Sequence, residues 1–521
     1  RFDGNDRVAI VDTELSVYEG PHGEFGTIFI RGNFKTRARL LVRERPWAEG
    51  DPYDAAQVEE LRRRIEGIGV TESVIIDEHR VGCGFDDDGP CVVNHVVAIT
   101  ESKDRSLDLA WGFGGATLDP FYGFLRPSFP NIAGFGWDLS LEGHFGTKVP
   151  TLTERICDGE GCYERSAGAA LVHRRIFGLD PTAEFNFQVQ RRVTPARGQI
   201  DSALGQARLA WPFHFDRSRT RARAGRRERS RIYDDELRVY AGYLVQIANI
   251  SKDVAKTTLG AIETCSANES EPCRPPDRGE AIVPDVTAGG VAGLAWERVD
   301  NPFNPNDGIV ASFDGMIASP WVGGRDWWIR GEVSFRQFIP IPRTDDRLNL
   351  RYSLRYGHAI PLPNLPGAST TSIPEVWRYF GGGTTDLGVR GMEPQTMLVD
   401  IEETRGPYGA VTLRPTAQGG HIRALATVAV QVVSVSNFLG GKLAHSVFMD
   451  LGVLTQNWSQ VRPARDVRRS VGINMIKWDI SIVTVSLGYA VLLPDSILPG
   501  GNVRPTDDRN GRFVFDVGAT F

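Results

Sequence analysis

The stretch best equipped for chemistry is Arg378 to Gly391, Arg-Tyr-Phe-Gly-Gly-Gly-Thr-Thr-Asp-Leu-Gly-Val-Arg-Gly. It is too rich in glycine for a helix or an ordinary strand. Arg390 sits near its end, between Val389 and Gly391. A glycine-rich loop with one arginine near its end suggests a loop folded into something, its charge met by an anion supplied elsewhere. A flexible surface loop is the plain alternative, and Val-Arg-Gly alone recurs by chance. The segments around it decide.

Other chemistry is sparse. No nucleophile–base constellation, phosphate loop or metal set is present, so no enzyme and no cofactor is expected. Asp86-Asp87-Asp88-Gly89 lacks EF-hand spacing, and a turn suffices for it. Arg217 to Arg231 (RSRTRARAGRRERSR) reads first as a solvated basic cluster, ahead of an RNA or lipid site. As a strand it would put Arg217, Arg219, Arg221 and Arg223 on one side. The formal net charge of -6 gives no general push toward nucleic acid. Six cysteines fall into local pairs, Cys83/Cys91, Cys157/Cys162 and Cys265/Cys273, each closing a short polar loop. That arrangement points to disulfides in an oxidising compartment. Metal binding is the rival; no pair is a C-x-x-C and no histidine sits at ligand spacing. An exported protein needs a signal peptide and none is visible at Arg1, so a longer precursor is expected.

The first hundred residues must form a small α+β unit. Val8–Tyr18 and Thr27–Arg31 read as strands and 34–45 as a helix. Asp54–Glu66 reads as a second helix, with Asp54 and Gln57 at capping-box spacing, Val58, Leu61 and Ile65 on one face, and Gly67 as its stop. Strands at Ser73–Glu78 and Val92–Glu101 complete a β-α-α-β-β order. The last strand resembles Val8–Tyr18 in pattern, so residues 1–22 read as the final strand of a preceding, truncated repeat. Ile30-Arg31-Gly32-Asn33 with Thr36, Gly50-Asp51-Pro52-Tyr53, and Leu61 through Gly69 carry a likeness beyond this pattern. On them, residues 23–104 resemble a POTRA (polypeptide-transport-associated) domain.

From 105 to 521 the period is two. Leu107, Leu109, Trp111 and Phe113 alternate with polar or small residues, as do Trp137–Phe145, Phe185–Val189, Trp327–Phe335, Leu348–Leu354 and the terminal Phe513, Phe515, Val517, Ala519 and Phe521. A soluble sandwich also alternates. An even count of about sixteen segments, aromatic residues at segment ends, and tight connections alternating with long ones favour a transmembrane β-barrel. The tight ones are Asn131–Gly136 and Gly178–Pro181; the long ones are 146–165, 248–288 and 360–410.

Asn131-Ile132-Ala133-Gly134-Phe135-Gly136, Asp300-Asn301-Pro302 with Asn304-Pro305 and Gly308, Val389-Arg390-Gly391, Phe448-Met449-Asp450-Leu451-Gly452 and Phe521 occur in one order. In that order they resemble the outer-membrane protein assembly superfamily, BamA/TamA-like, over nearly the whole chain. The resemblance implies that loop 360–410 folds into the lumen and that Arg390 meets Asp450 and Phe448 on the thirteenth barrel strand. Relatives often carry an acid on the twelfth strand; here Gln431 stands in for it, leaving one anionic partner. Met392 stands where an aromatic usually follows the glycine.

The implied function is assembly of outer-membrane proteins in a Gram-negative bacterium. Periplasmic POTRA domains would receive unfolded clients by β-augmentation, with accessory lipoproteins or other periplasmic partners. Insertion would occur at a lateral seam between Leu107–Phe113 and Phe513–Phe521, weakened by Gly112, Gly114 and Gly115. The alternatives are a two-partner-type secretion pore of the same superfamily and, in another class, a passive porin or structural barrel. No nucleic-acid partner is expected.

Overall fold

A computed structural model of the chain describes residues 22–83, 91–102, 107–116, 121–147, 163–176, 180–194, 198–214, 234–251, 285–300, 305–344, 347–366, 373–381, 389–392, 397, 399–405, 411–417, 419–438, 441–461, 466–479, 483–493 and 512–520. Outside them lie the expected strand Val8–Tyr18, the acidic run Asp86–Gly89, the pairs Cys157/Cys162 and Cys265/Cys273, the basic run Arg217–Arg231, and Phe521. The chain divides into two compact units: Arg1–Arg105 with Asn131–Gly136, and Ser106–Pro130 with Trp137–Phe521.

The first unit runs β1 (Gly23–Arg31), α1 (Ala38–Val42), α2 (Ala55–Ile68), β2 (Thr71–Val81), β3 (Cys91–Glu101). Its sheet has the order β1-β3-β2, with β1 parallel and β2 antiparallel to β3. Asp54 starts α2 by accepting a hydrogen bond from the Ala56 amide at 2.9 Å. Leu61, Ile65 and Ile68 bury one face of the helix. The stop is Gly69, at φ +79° with its N–H on the Glu66 carbonyl, and not Gly67, through which the helix continues. The expected helix over 34–45 shrinks to the five residues of α1. The Glu101 carboxylate accepts from the Lys35 and Thr36 amides at 3.0 and 2.6 Å, and Arg37, just before α1, is extended at φ -68°, ψ 130°. The turn Asn131–Gly136 belongs with this unit, where the Asn131 amide donates to the Thr36 hydroxyl at 2.9 Å. A Cβ at Gly134 would strike the Lys35 carbonyl. Phe25, Leu41, Trp47, Leu61, Ile65 and Val97 form the core, and a disulfide joins Cys83 to Cys91 between β2 and β3.

The second unit contains β4 (Asp108–Ala116), β5 (Phe121–Phe129), β6 (Trp137–Thr147), β7 (Tyr163–His173), β8 (Thr182–Thr194), β9 (Gly198–His214), β10 (Asp234–Ser251) and β11 (Asp285–Val299). It continues through β12 (Gly308–Ala318), β13 (Trp328–Pro340), β14 (Leu348–Pro361), β15 (Val399–Arg405), β16 (Val411–Ala417), β17 (Ile422–Phe438), β18 (Gly441–Thr455), β19 (Arg468–Asp479), β20 (Val483–Leu492) and β21 (Arg512–Thr520). Among the described residues, sixteen strands form one antiparallel ring, each pairing with the next from β4 to β14, then β17 to β21, and β21 with β4. The hairpin β15–β16 stands apart in the connection between β14 and β17. That connection spans 362–421, longer than the expected 360–410, because β17 begins only at Ile422.

Alternation sets the two faces of the wall. Ile329 and Val333 on β13, Leu354 and Tyr356 on β14, Val428 and Val430 on β17, and Val447 on β18 are exposed. Their neighbours Trp328, Asn349, Arg423, Gln431, Phe448 and Asp450 are buried. A water-soluble sheet turns its apolar side inward; here the apolar side is the outer one, over far more surface than soluble monomers expose. That is the pattern of a barrel whose outer surface meets lipid. Among the described residues no helix is long and apolar enough to cross a membrane, which says nothing about strands.

Candidate lumenal site

The site is built from the tip of the long connection and the inner face of the wall. Asp450 lies on β18, the thirteenth strand of the ring. It accepts from Arg390 three times: from the backbone N–H at 3.1 Å, from Nε at 2.7 Å and from Nη2 at 2.6 Å. The guanidinium thus grips the carboxylate by its fork, the strong geometry for this pair. The Arg390 side chain is 13% exposed and that of Asp450 1%, so water screens the pair little. Phe448, two residues back on the same face, lies under the guanidinium with Cζ 3.3 Å from the ring centroid.

Small residues make the approach possible. A Cβ on Gly452 would come within 2.5 Å of Val389 Cγ2, so the glycine leaves room for the fully buried Val389. Gly472 on β19 does the same for the Phe448 ring. Gly391 sits at φ +91°, a conformation that favours glycine, with Ala490 of β20 close against it. Met392 is buried as well, and its N–H closes a turn on the Val389 carbonyl at 3.3 Å.

The twelfth strand, β17, contributes differently from the expectation. Gln431 is buried but lies opposite Ser446 and Asn349, while the residue opposite Asp450 is Thr427. Its hydroxyl donates to Asp450 Oδ1 at 2.9 Å. The polar partner from this strand is therefore Thr427, four residues before Gln431 and on the same face. Sequence alternation marks both as inward-facing, but only the strand register tells which meets the carboxylate. Tyr379, at the root of the connection, lies in the glycine-rich stretch, but nothing in its spacing marks it as an anchor. Tyr379 is buried, exchanges two backbone hydrogen bonds with Gly420, and donates its hydroxyl to the Gly331 carbonyl at 2.9 Å.

Elsewhere in the barrel, Asp300 accepts from the amides of Asn306 and Asp307 at 2.9 and 3.0 Å. That turn meets β14 through Asn349 to the Asn306 carbonyl and Arg351 to the Pro305 carbonyl. At the junction of first and last strands, Leu107 precedes β4, which starts at Asp108 and runs on to Ala116. Leu109, Trp111 and Phe113 are exposed, and Gly112 is buried. Phe513 is exposed and Val514 buried; Phe515 and Val517 lie within β21. Among the described residues, β21 and β4 pair from Asp516↔Ala116 to Thr520↔Gly112.

A ring of sixteen antiparallel strands, apolar outside, with an arginine-tipped loop bound to a buried lumenal carboxylate, is a transmembrane β-barrel of the kind that carries an inward-folded loop. The model of the Omp85 superfamily domain matches residues 131–521, and the chain belongs to that superfamily. A curated relative, the outer membrane protein assembly factor BamA of Neorickettsia risticii (strain Illinois), is 22% identical over 456 residues, 86% of this chain and 50% of the relative. The chain thus spans about half the length of that relative. The crystal structure of BamA from Haemophilus ducreyi lacking POTRA domains 1–3 superposes with a TM-score of 0.65 at 16% identity, covering 95% of this chain and 84% of that one. CdiB from Acinetobacter baumannii gives 0.49 at 11% identity, over 96% and 74% of the two chains.

Proposed function

We propose that the chain is a BamA-like assembly factor of the bacterial outer membrane, acting on unfolded outer-membrane proteins. The first unit serves as a periplasmic POTRA domain that offers the edge of β2 to client segments or accessory lipoproteins, the start of the β1 edge being bonded to Gly50, Asp51 and Tyr53. The barrel admits client strands at the junction of β4 and β21.

One observation carries this reading. Among the described residues, the β21–β4 junction pairs Asp516 with Ala116 through Thr520 with Gly112. Three of the paired β4 residues are glycines, Gly112, Gly114 and Gly115, which add no side-chain packing. In lipid an unpaired backbone group costs several kcal/mol, so an opened edge demands a new strand. Client folding supplies the free energy, and no nucleotide is needed.

Depletion of the protein followed by proteomics of the outer membrane tests the reading. General loss of barrel proteins is the expected result. Loss of one exported protein with barrels intact would replace it with the dedicated secretion pore, and no loss at all would leave a passive barrel.

A further inference from the structure

We propose that Tyr379 is a second anchor of the inward-folded loop, independent of Arg390, which holds the root of the loop on the wall when the tip lets go. The root and tip touch different parts of the ring. The tip uses β18, β20 and Thr427 of β17. The root uses β13, β14 and Arg423 of β17.

The construction of the root is specific. The Tyr379 N–H donates to the Gly420 carbonyl at 2.9 Å, and the Gly420 N–H returns a bond at 2.8 Å. These two bonds tie the outgoing and returning arms of the connection together, like a strand pair of one residue each. The phenol reaches across to the Gly331 carbonyl on β13. The ring lies on Gly357 of β14, where a Cβ would come within 2.5 Å of Tyr379 Cζ. Two guanidiniums lie near the ring, Arg330 with Cζ 4.5 Å and Arg423 with Cζ 5.0 Å from its centroid. Both are tied to Glu332, at 3.4 and 2.8 Å, and Arg423 also donates to the Phe380 carbonyl at 3.2 Å. Glu332 therefore orients two cations against one aromatic ring, and the ring locks the loop's root. Arg423 and Thr427 stand four residues apart on one strand face, so β17 supports both anchors; their hydrogen bonds are separate, while Tyr379, Val389 and Met392 pack in one buried apolar cluster.

The consequence is mechanical and rests on the assembly reading: a loop released at Arg390 swings about its root inside the lumen and is not expelled. The anchor itself does not depend on that reading. Hydrogen exchange of the purified full chain in detergent tests it, with heat-modifiable gel migration as the check that the barrel is folded. Tyr379→Leu is expected to speed exchange at position 379 and Gly420 about tenfold or more while the amides of Arg390 and Met392 keep their protection. Tyr379→Phe, which retains the ring, is expected to stay near wild type. Arg390→Ala is expected to do the reverse, freeing the tip and sparing the root. If Tyr379→Leu does not fold, Glu332→Gln decides, since it removes the charge that holds both guanidiniums and should loosen the root alone. Unchanged root exchange in the folded variant overturns the proposal, as does a root freed by Arg390→Ala to the same extent as by the root variants. Because exchange is read without any client, a normal anchor with no assembly activity would count against the functional reading alone.

Discussion

Deleting either half of the Arg390–Asp450 pair should be costly, and deleting both should cost little more. Asp450 is 1% exposed and accepts three hydrogen bonds from Arg390 and one from Thr427. Arg390→Ala removes both guanidinium bonds and leaves that buried carboxylate with the Thr427 hydroxyl and the backbone N–H of residue 390. Breaking a buried pair from one side costs about 3–5 kcal/mol. Asp450→Ala strands the guanidinium instead, which at 13% exposure can recruit some water, so its cost belongs at the lower end, about 3 kcal/mol. The double variant leaves neither charge uncompensated, so it should cost little more than the worse single variant, a coupling of about 3 kcal/mol. The assay is urea-driven unfolding of the purified barrel in detergent micelles, with client assembly measured in parallel. Strictly additive losses would show that the two residues do not support each other, and the lumenal site would lose its physical basis.

Two further outcomes follow from the first unit and the cysteine pairs. Non-reducing peptide mapping should recover Cys83 linked to Cys91, and by the same sequence logic Cys157 to Cys162 and Cys265 to Cys273; free thiols or cross-pair links would contradict it. His95 is fully buried between Trp47, Phe25 and Tyr53, with neither ring nitrogen hydrogen-bonded, and burial lowers its pKa below the ordinary 6.5 despite the nearby Glu78. Its neutral form is the stable one in the fold, so its contribution is full above the unfolded pKa and is lost as pH falls below it. Protease cleavage of this unit should therefore rise between pH 7 and 5 in the wild type and change little in His95→Leu. Glu78, hydrogen-bonded by Tyr53, and Glu101, held by Thr36 and Lys35, also have lowered pKa values, but they lose their contribution only at more acid pH. Tyr53, pushed up to about 12 by burial and by Glu78, stays neutral throughout.

The sequence carried the architecture because period-two alternation over many segments has few other solutions. It also isolated Arg390, since one arginine in a glycine-rich loop has few uses. Two kinds of information were missing. Register is one: Thr427 and Gln431 are equivalent in alternation, and only the pairing of β17 with β18 puts Thr427 opposite Asp450. Room is the other: Gly452, Gly472 and Gly357 matter for what packs against them from distant parts of the chain. In the first unit the helix over 34–45 failed for a related reason. Residues 35 and 36 are held by Glu101, more than sixty residues away, and Arg37 is extended; local propensity contains no trace of that.

The measurement closest to the central claim is a reversible lock on the β4–β21 junction. Strand register chooses the handles, since Asp516 pairs with Ala116 and Gly518 with Gly114. Gly114→Cys with Gly518→Cys, and separately Ala116→Cys with Asp516→Cys, place thiols on directly opposed residues, within reach of a disulfide. The chain is reconstituted in lipid vesicles, oxidised, and offered an unfolded outer-membrane barrel, with the unsubstituted chain carried through the same oxidation and reduction. The account predicts a locked barrel that is folded and membrane-embedded but does not insert the client until reductant reopens the junction. A verified, fully oxidised cross-link with insertion unchanged would contradict it, and the wall would have to be read as permanently shut.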